Sequence, residues 1–428
     1  MTIAVPFILL VVFLLTGMPI AFALGVSGSV GLLMFGGLDT LLGVLQTTPF
    51  DSVDDFLMSA IPMFILMASL MKASGIMKDL FSAAYKWLGN FPGGLGIATV
   101  FAGSAMGAVS GSSTASAATM ASAAYPEMKR YNYSSKFSMG IISISGTLAV
   151  MIPPSIVLII YGITTETGVG QLLIAGIIPG VITALGYVAT IVIRVKINPE
   201  IAPSIKEAAS IKEKLSSLKS IWPTLVIVII VMGGIYAGIV TPTEAGALGA
   251  FATFIVGLLM RKYSFKSIQE AFIDTLKSTT MILTIVIGAM IFGYFITITQ
   301  VTQKLVTFIE TQDIPSFAVL VCILIIFLVL GFFLDQIAIL LIALPLTFPI
   351  ITSLGFDPIW FGILVTKTVE IGLVSPPVGM NVFVASSAAK VNPTISFRGV
   401  SWFVLCDLLI LVLIILFPIL STFLPGKM

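Results

Sequence analysis

Long apolar runs dominate this sequence, among them 6–24, 226–240, 318–331 and 404–424. A helix that crosses a bilayer needs roughly 20 mainly apolar residues, and these runs approach or reach that length. Composition agrees: 58% of the 428 residues are hydrophobic and 9% are charged, against about 25% charged in soluble domains. Lipid is therefore the expected solvent for most of the surface. Outer-membrane barrels show short alternating segments; continuous runs predict helices. Met1-Thr2-Ile3-Ala4 lacks a basic leader region and a small-residue cleavage site, so the first run is expected to be a membrane helix.

Other classes are poorly served. A net charge of +2 gives no footprint for nucleic acid. Cys322 and Cys406 sit inside apolar runs and read as inert thiols. Histidine is absent, which removes the usual partner from haem sites, most transition-metal sites and Ser-His or Cys-His dyads. Gly107-Ala108-Val109-Ser110-Gly111 resembles a nucleophile turn, but Ser110 would need an unusual base such as Lys367. A channel needs a continuous pore or a ring of filters. There is no phosphate-binding loop for ATP. The chain is expected not to be an enzyme and to need no cofactor.

Membrane segments are predicted at about 3–35, 56–76, 137–163, 171–193, 221–240, 243–260, 279–300, 359–389 and 399–424. The stretches 93–125 and 315–350 are too long for one span and too short for two with a loop. Each has a small or polar centre, which fits a re-entrant hairpin of two half-length helices. Placing the basic loop 194–220 in the cytoplasm sets the orientation by the positive-inside rule. Of the 21 Lys and Arg residues, only Lys304, Lys367 and Lys427 then fall elsewhere, and the acidic group Asp39, Asp51, Asp54 and Asp55 forms an outer loop. The N-terminus is expected inside and the C-terminus outside. The first hairpin enters from the cytoplasm and the second from the opposite face.

The two hairpins belong to a repeat. Pro153-Pro154 recurs 223 residues later as Pro376-Pro377, and the same offset pairs Pro126 with Pro349 and Gly176 with Gly399. Helix, hairpin, broken helix and final helix follow in the same order, with opposite sense across the membrane. Inverted repeats with interrupted helices mark secondary transporters, whose sites lie near the midplane. Proline pairs also recur by accident in membrane helices; the shared order of elements is what favours a repeat.

Gly and Ser near Ser110, Gly111, Ser112 and Ser113 would break a helix at the first hairpin tip. Freed carbonyls cannot face lipid, and carbonyls with Ser hydroxyls are the hard oxygen ligands an alkali cation accepts. The Ser/Ala run 116–124 reads instead as close helix packing. The Pro-Pro pair opens the facing helix over 146–154, leaving a half-helix N-terminus near Pro154-Ser155 that favours an anionic group. In the second repeat Asp335 takes the place of Ser112, and Asn381 follows the break, where it can hydrogen-bond substrate. Asp335, Lys367 and Glu370 are ionisable groups at membrane depth and therefore functional candidates. Lys367 and Glu370 are also i, i+3 neighbours that can neutralise each other. Thr241-Pro242-Thr243-Glu244 reads as a capping box rather than a site. The stretch 199–220 has amphipathic spacing and is expected at the cytoplasmic interface.

The hairpin GSAMGAVSGSSTASAATM, the breaks MIPPS and VSPPVGMN, and the segment TPTEAGALGA resemble the large membrane subunit of tripartite ATP-independent periplasmic (TRAP) transporters over essentially the whole chain. The resemblance implies an all-α polytopic membrane protein of elevator type: an inverted repeat with two re-entrant hairpins and two discontinuous helices. It implies N-terminal scaffold helices over 1–92, the first transport repeat over 93–170, further scaffold helices over 171–300, the second transport repeat over 315–398 and a C-terminal helix over 399–428. It implies one sodium site at Ser110, Gly111, Ser112, Ser113, Gly146 and Thr147. The other would be formed by Gly331, Asp335, Gln336, Thr366, Gly372, Ser375 and Pro376. Substrate would lie near Ser112, Thr147, Pro154, Ser155 and Asn381. Implied partners are a separate small four-helix membrane subunit and a periplasmic substrate-binding protein, at the bacterial inner membrane, with an organic acid as cargo. Few basic residues reach the midplane, which favours a monocarboxylate sugar acid such as N-acetylneuraminate over a C4-dicarboxylate.

Overall fold

The computed structural model describes residues 3–203 and 210–427, without the side chains of 77, 78, 108–110 and 220. Among the described residues the chain is helical throughout, with no strand. Seven helices among the described residues are long and apolar enough to cross a membrane, or nine if two bent pairs each count as one span.

The first expected span, 3–35, is two helices. Gly17, at φ +80°, and Pro19 separate α1 (Ala4–Leu15) from α2 (Ile20–Asp51). Gly37, at φ +76° and ψ −177°, breaks α2 close to the expected end at residue 35, and a second helical stretch runs on to Asp51, so Asp39 and Asp51 lie on a helix rather than in a loop. Helices α3 (Ala60–Ala73) and α4 (Ile76–Leu88) follow, and Gly75 makes the left-handed step between them. Later come α10 (Ile211–Val228), α11 (Pro242–Leu259) and α12 (Phe265–Thr299). Residues 204–209 of the expected interfacial stretch 199–220 lie outside the described residues, and 211–220 open α10. Thr241 and Glu244 form the expected capping box: each side chain bonds the other's backbone N–H, at 3.3 and 2.8 Å.

Helices α2, α3, α11 and α12 form one frame, α2 packing along α12 and α3 against α11 and α12. Backbones meet directly at the first contact. A Cβ on Gly288 would lie 2.2 Å from the Ala21 carbonyl, and one on Gly28 would lie 2.8 Å from Phe292 Cα. Small residues allow this approach, and close packing is what holds helices together in lipid.

The second body holds both repeats. Its first hairpin is α5 (Gly94–Ser110) and α6 (Ser113–Arg130); its first broken helix is α7 (Ser135–Ser145), a short turn over Leu148–Met151, and α8 (Ile156–Thr164). Helix α9 (Ile177–Ile197) completes that repeat. Amphipathic α13 (Val301–Thr311) precedes the second hairpin as amphipathic α4 precedes the first. The hairpin itself is α14 (Ser316–Gly331) and α15 (Gln336–Ser353). The second broken helix is α16 (Pro358–Val374) and α17 (Met380–Ala389), and α18 (Pro393–Leu416) closes the repeat. The hairpin helices run 16 to 18 residues, longer than the half-length pieces expected. At 1.5 Å per residue they reach about 24–27 Å, and one of them, α15, is among the seven helices long and apolar enough to cross a membrane. The Ala-rich run 116–124 propagates α6 past Pro126 to Arg130, which accounts for its length.

The repeats interlock. Helix α6 packs on α17, and α15 packs on α8, so each hairpin leans on the other repeat's broken helix. Helix α18 packs on α7 and α16, and α9 packs on α18 and α5. Helix α9, expected among the scaffold helices of 171–300, thus packs with the hairpins rather than with the frame.

Candidate transport site

Each hairpin turns on a capped helix start. Gly111 adopts φ +57°, which carries the chain from α5 into Ser112, whose hydroxyl accepts from Ala115 N–H at 3.4 Å. Asp335 occupies the equivalent place in the second hairpin and accepts from Ile337 and Ala338 N–H at 3.0 and 3.3 Å. An oxygen side chain is needed at both positions because the first turn of a helix leaves its N–H groups unpaired. One oxygen of Asp335 is committed to this role.

Glycines seat the tips on the breaks. A Cβ on Gly146 would come 2.5 Å from the Ser113 carbonyl, and one on Gly372 would come 2.6 Å from Gly331 Cα. Gly146 and Ser113 therefore adjoin in one repeat, and Gly331 and Gly372 in the other, as the two expected ion sites require. Both Pro-Pro bonds, 153–154 and 376–377, are cis. The side chain of Ser110 lies outside the described residues.

Several other expected ligands make side-chain hydrogen bonds of their own. The Thr147 hydroxyl donates to the Ile144 carbonyl at 2.8 Å and sits 3.0 Å from the Tyr187 hydroxyl. Ser155 caps α8 through Leu158 N–H, and Ser375 donates to the Ile371 carbonyl of its own helix. Pro154 is buried and Pro376 exposed. The Thr366 hydroxyl, the Gln336 amide nitrogen and both amide atoms of Asn381 are buried without a hydrogen-bond partner. Buried polar groups are nearly always paired, so these atoms are free to take a ligand.

Both tips face one cavity of about 670 Å³, within the range of small-molecule sites. Residues 111–115 and 335–337 form one wall; α3 supplies Ser69 and Lys72, and α12 supplies Asp274, Lys277 and Met281 to the other. Lys72 and Asp274 pair at 3.3 Å across the frame. Of the expected substrate residues, Ser112 lines this cavity directly, whereas Ser155 and Asn381 adjoin lining residues Ile156 and Met380. The frame wall was missed from sequence, since nothing local marks Lys277 as facing a hairpin tip.

A buried ionic network lies behind the tips. Lys367 pairs with Asp407 of α18, and its ammonium also reaches the Thr183 hydroxyl at 3.4 Å. The Tyr187 hydroxyl lies 2.7 and 2.8 Å from the two Asp407 oxygens. Lys367 is thus neutralised by Asp407 rather than by Glu370, because its long stem spans from α16 to α18. A lone acid in the apolar run 404–424 was the available signal for Asp407.

Residues 7–420 match the family model for the DctM component of tripartite ATP-independent periplasmic transporters. The chain belongs to this family. It is 35% identical over 406 residues to a C4-dicarboxylate TRAP transporter large permease protein of Pseudomonas aeruginosa, covering 94% of both chains. It is 33% identical over 382 residues to an isethionate TRAP transporter permease protein, DctMQ, of Oleidesulfovibrio alaskensis, covering 88% of this chain and 59% of that one. The Alcanivorax borkumensis YdaH transporter shares the fold, with a TM-score of 0.63 at 15% identity over 99% of this chain and 98% of that one. The permease is therefore a multi-pass membrane transport protein, and its relatives are transporters rather than enzymes.

Proposed function

We propose that this permease takes up an organic-acid anion across the bacterial inner membrane, driven by sodium, by an elevator movement of the two-repeat body against the frame. The observation that carries this reading is the cavity, which has both hairpin tips on one wall and only frame helices α3 and α12 on the other. Sliding one wall past the other would carry a bound anion and its cations across without opening a pore. Helices α9 and α18 travel with the hairpins in this reading, since α9 packs on α5 and α18 packs on the broken helices at α7 and α16. The cavity lining includes the exposed Lys72, Asp274 and Lys277, which this reading assigns to the cytoplasmic side by the positive-inside rule. The cavity then faces inward.

Sodium binds at the two tip-on-break junctions, Ser112 and Ser113 over Gly146, and Asp335 with Gly331 over Gly372. A periplasmic binding protein delivers the cargo, and a small four-helix membrane subunit completes the frame; the relative named DctMQ is longer than this chain. Lys72 is already paired with Asp274, which leaves Lys277, among the described lining residues, as the ammonium without an ion pair. One cation suits a monocarboxylate such as N-acetylneuraminate. A C4-dicarboxylate is the second reading, favoured by the name of the Pseudomonas relative.

The test is uptake into proteoliposomes holding the permease with its small subunit, with the sodium gradient and the binding protein each supplied and withheld. Uptake should need both. Uptake that survives the loss of both rejects the mechanism, and competition among sugar acids, C4-dicarboxylates and sulfonates ranks the cargo.

A further inference from the structure

Three charged side chains are buried among the described residues: Lys367, Glu370 and Asp407. Lys367 and Asp407 neutralise each other. Glu370 is left over, fully buried, with neither carboxyl oxygen in a hydrogen bond. An isolated carboxylate at this depth is strongly disfavoured unless something pairs with it.

Its surroundings are specific. Ser113 and Gln336 lie beside the carboxyl without hydrogen-bonding geometry, and Lys367 and Asp407 are the charged groups near it. Ser113 and Gln336 are the first helical residues of α6 and α15, equivalent to each other under the 223-residue offset. Glu370 on α16 therefore sits where the second helices of both hairpins begin. Thr366 lies one turn earlier on the same helix face. Its hydroxyl makes no bond to the helix carbonyl four residues back, the usual recourse of a buried threonine, and it has no other partner. The Gln336 amide nitrogen is equally unpaired, and a half-turn about the last side-chain bond would present the amide oxygen instead.

The other repeat lacks this arrangement. The offset places Thr147 opposite Glu370, and the Thr147 hydroxyl is satisfied by Ile144 and Tyr187. The surplus negative charge and the free oxygens occur on one side of the pseudo-symmetry only.

We propose that Glu370 is the charged ligand of a monovalent cation held between the two hairpin tips, with Ser113, Gln336 and Thr366 supplying further oxygens. One positive charge brings the buried set to neutrality, whereas a divalent ion would overshoot it. No three acidic or other metal-ligating side chains converge among the described residues to hold a divalent ion. Because the ligands come from both hairpins and from α16, the ion ties the two repeats together. It is additional to the two junction sites within the repeats, and the inference rests on the sodium-coupled reading given above.

The experiment measures the number of sodium ions moved per substrate, from reversal potentials in proteoliposomes of the permease with its small subunit and binding protein, using sodium chloride against choline chloride. Glu370→Gln should lower that number by one while the remaining uptake stays sodium-dependent. An unchanged number overturns the site, as does a wild-type dependence on an imposed pH gradient that vanishes in Glu370→Gln, since the carboxyl would then carry a proton. If Glu370→Gln fails to assemble, Thr366→Val decides the matter. It should raise the half-saturating sodium concentration several-fold, and no change overturns the site. A wild-type complex indifferent to sodium rejects the sodium-coupled reading together with this site; a sodium-dependent wild type with an unaltered Glu370→Gln rejects this site alone.

Discussion

Lys367 on α16 and Asp407 on α18 form an ion pair with 1% and 0% of their side chains exposed, and Tyr187 on α9 closes the network from a third helix. A pair so deep costs several kcal/mol to desolvate, so its presence does not itself confer stability, but removing one partner strands the other. Asp407→Ala should destabilise the permease by about 3–5 kcal/mol. The double variant Lys367→Met with Asp407→Leu should recover much of that loss. Thermal unfolding in detergent, followed by tryptophan fluorescence, checks both.

Tyr187→Phe removes one hydroxyl that touches both Asp407 and Thr147. The ion pair survives, so the expected loss is smaller, about 1–3 kcal/mol. The same unfolding assay should rank it below Asp407→Ala.

Asp335 both caps α15 and faces the cavity. Asp335→Ala should cost about 0.5–2 kcal/mol as a lost cap and weaken sodium dependence far more than membrane insertion. Asp335→Ser keeps the capping oxygen and removes the charge. Uptake against sodium concentration for both variants separates the roles: normal sodium coupling in both removes Asp335 from the ion site.

Gly146→Ala places a methyl group 2.5 Å from the Ser113 carbonyl, where only backbone can give way. The first hairpin tip must lift off its break. Uptake should fall by at least tenfold, about 1.4 kcal/mol in the barrier, while expression and insertion hold. Wild-type uptake in Gly146→Ala would show that the tip tolerates displacement.

Lys277→Gln should raise the substrate concentration for half-maximal efflux from sodium-loaded proteoliposomes without altering the half-saturating sodium concentration. A change in sodium saturation instead would place Lys277 with the cations.

Much of this architecture was legible because glycine and proline punctuate locally. The tips at 111–112 and 331–335, the two Pro-Pro breaks and the Thr241–Glu244 capping box all depend on residues within a turn or two of each other. The split at Gly17 and the helical stretch after the Gly37 break were missed, since neither is marked by a change in hydrophobicity. Asp407, the partner of Lys367, stands 40 residues away. The frame wall of the cavity comes from α3 and α12, far apart in the chain. Such relations are set by tertiary packing, and one strand of text holds no period or motif that records them.

The bare backbone contact of Gly28 and Gly288 against the facing helix has a mechanical meaning. Met281 and Ile282 of the cavity wall lie about two helical turns from Gly288 on the same rigid rod. In the elevator reading, a methyl group added at that remote crossing would tilt the rail along which the cargo compartment glides. Damage to transport can therefore originate where neither ion nor anion ever comes.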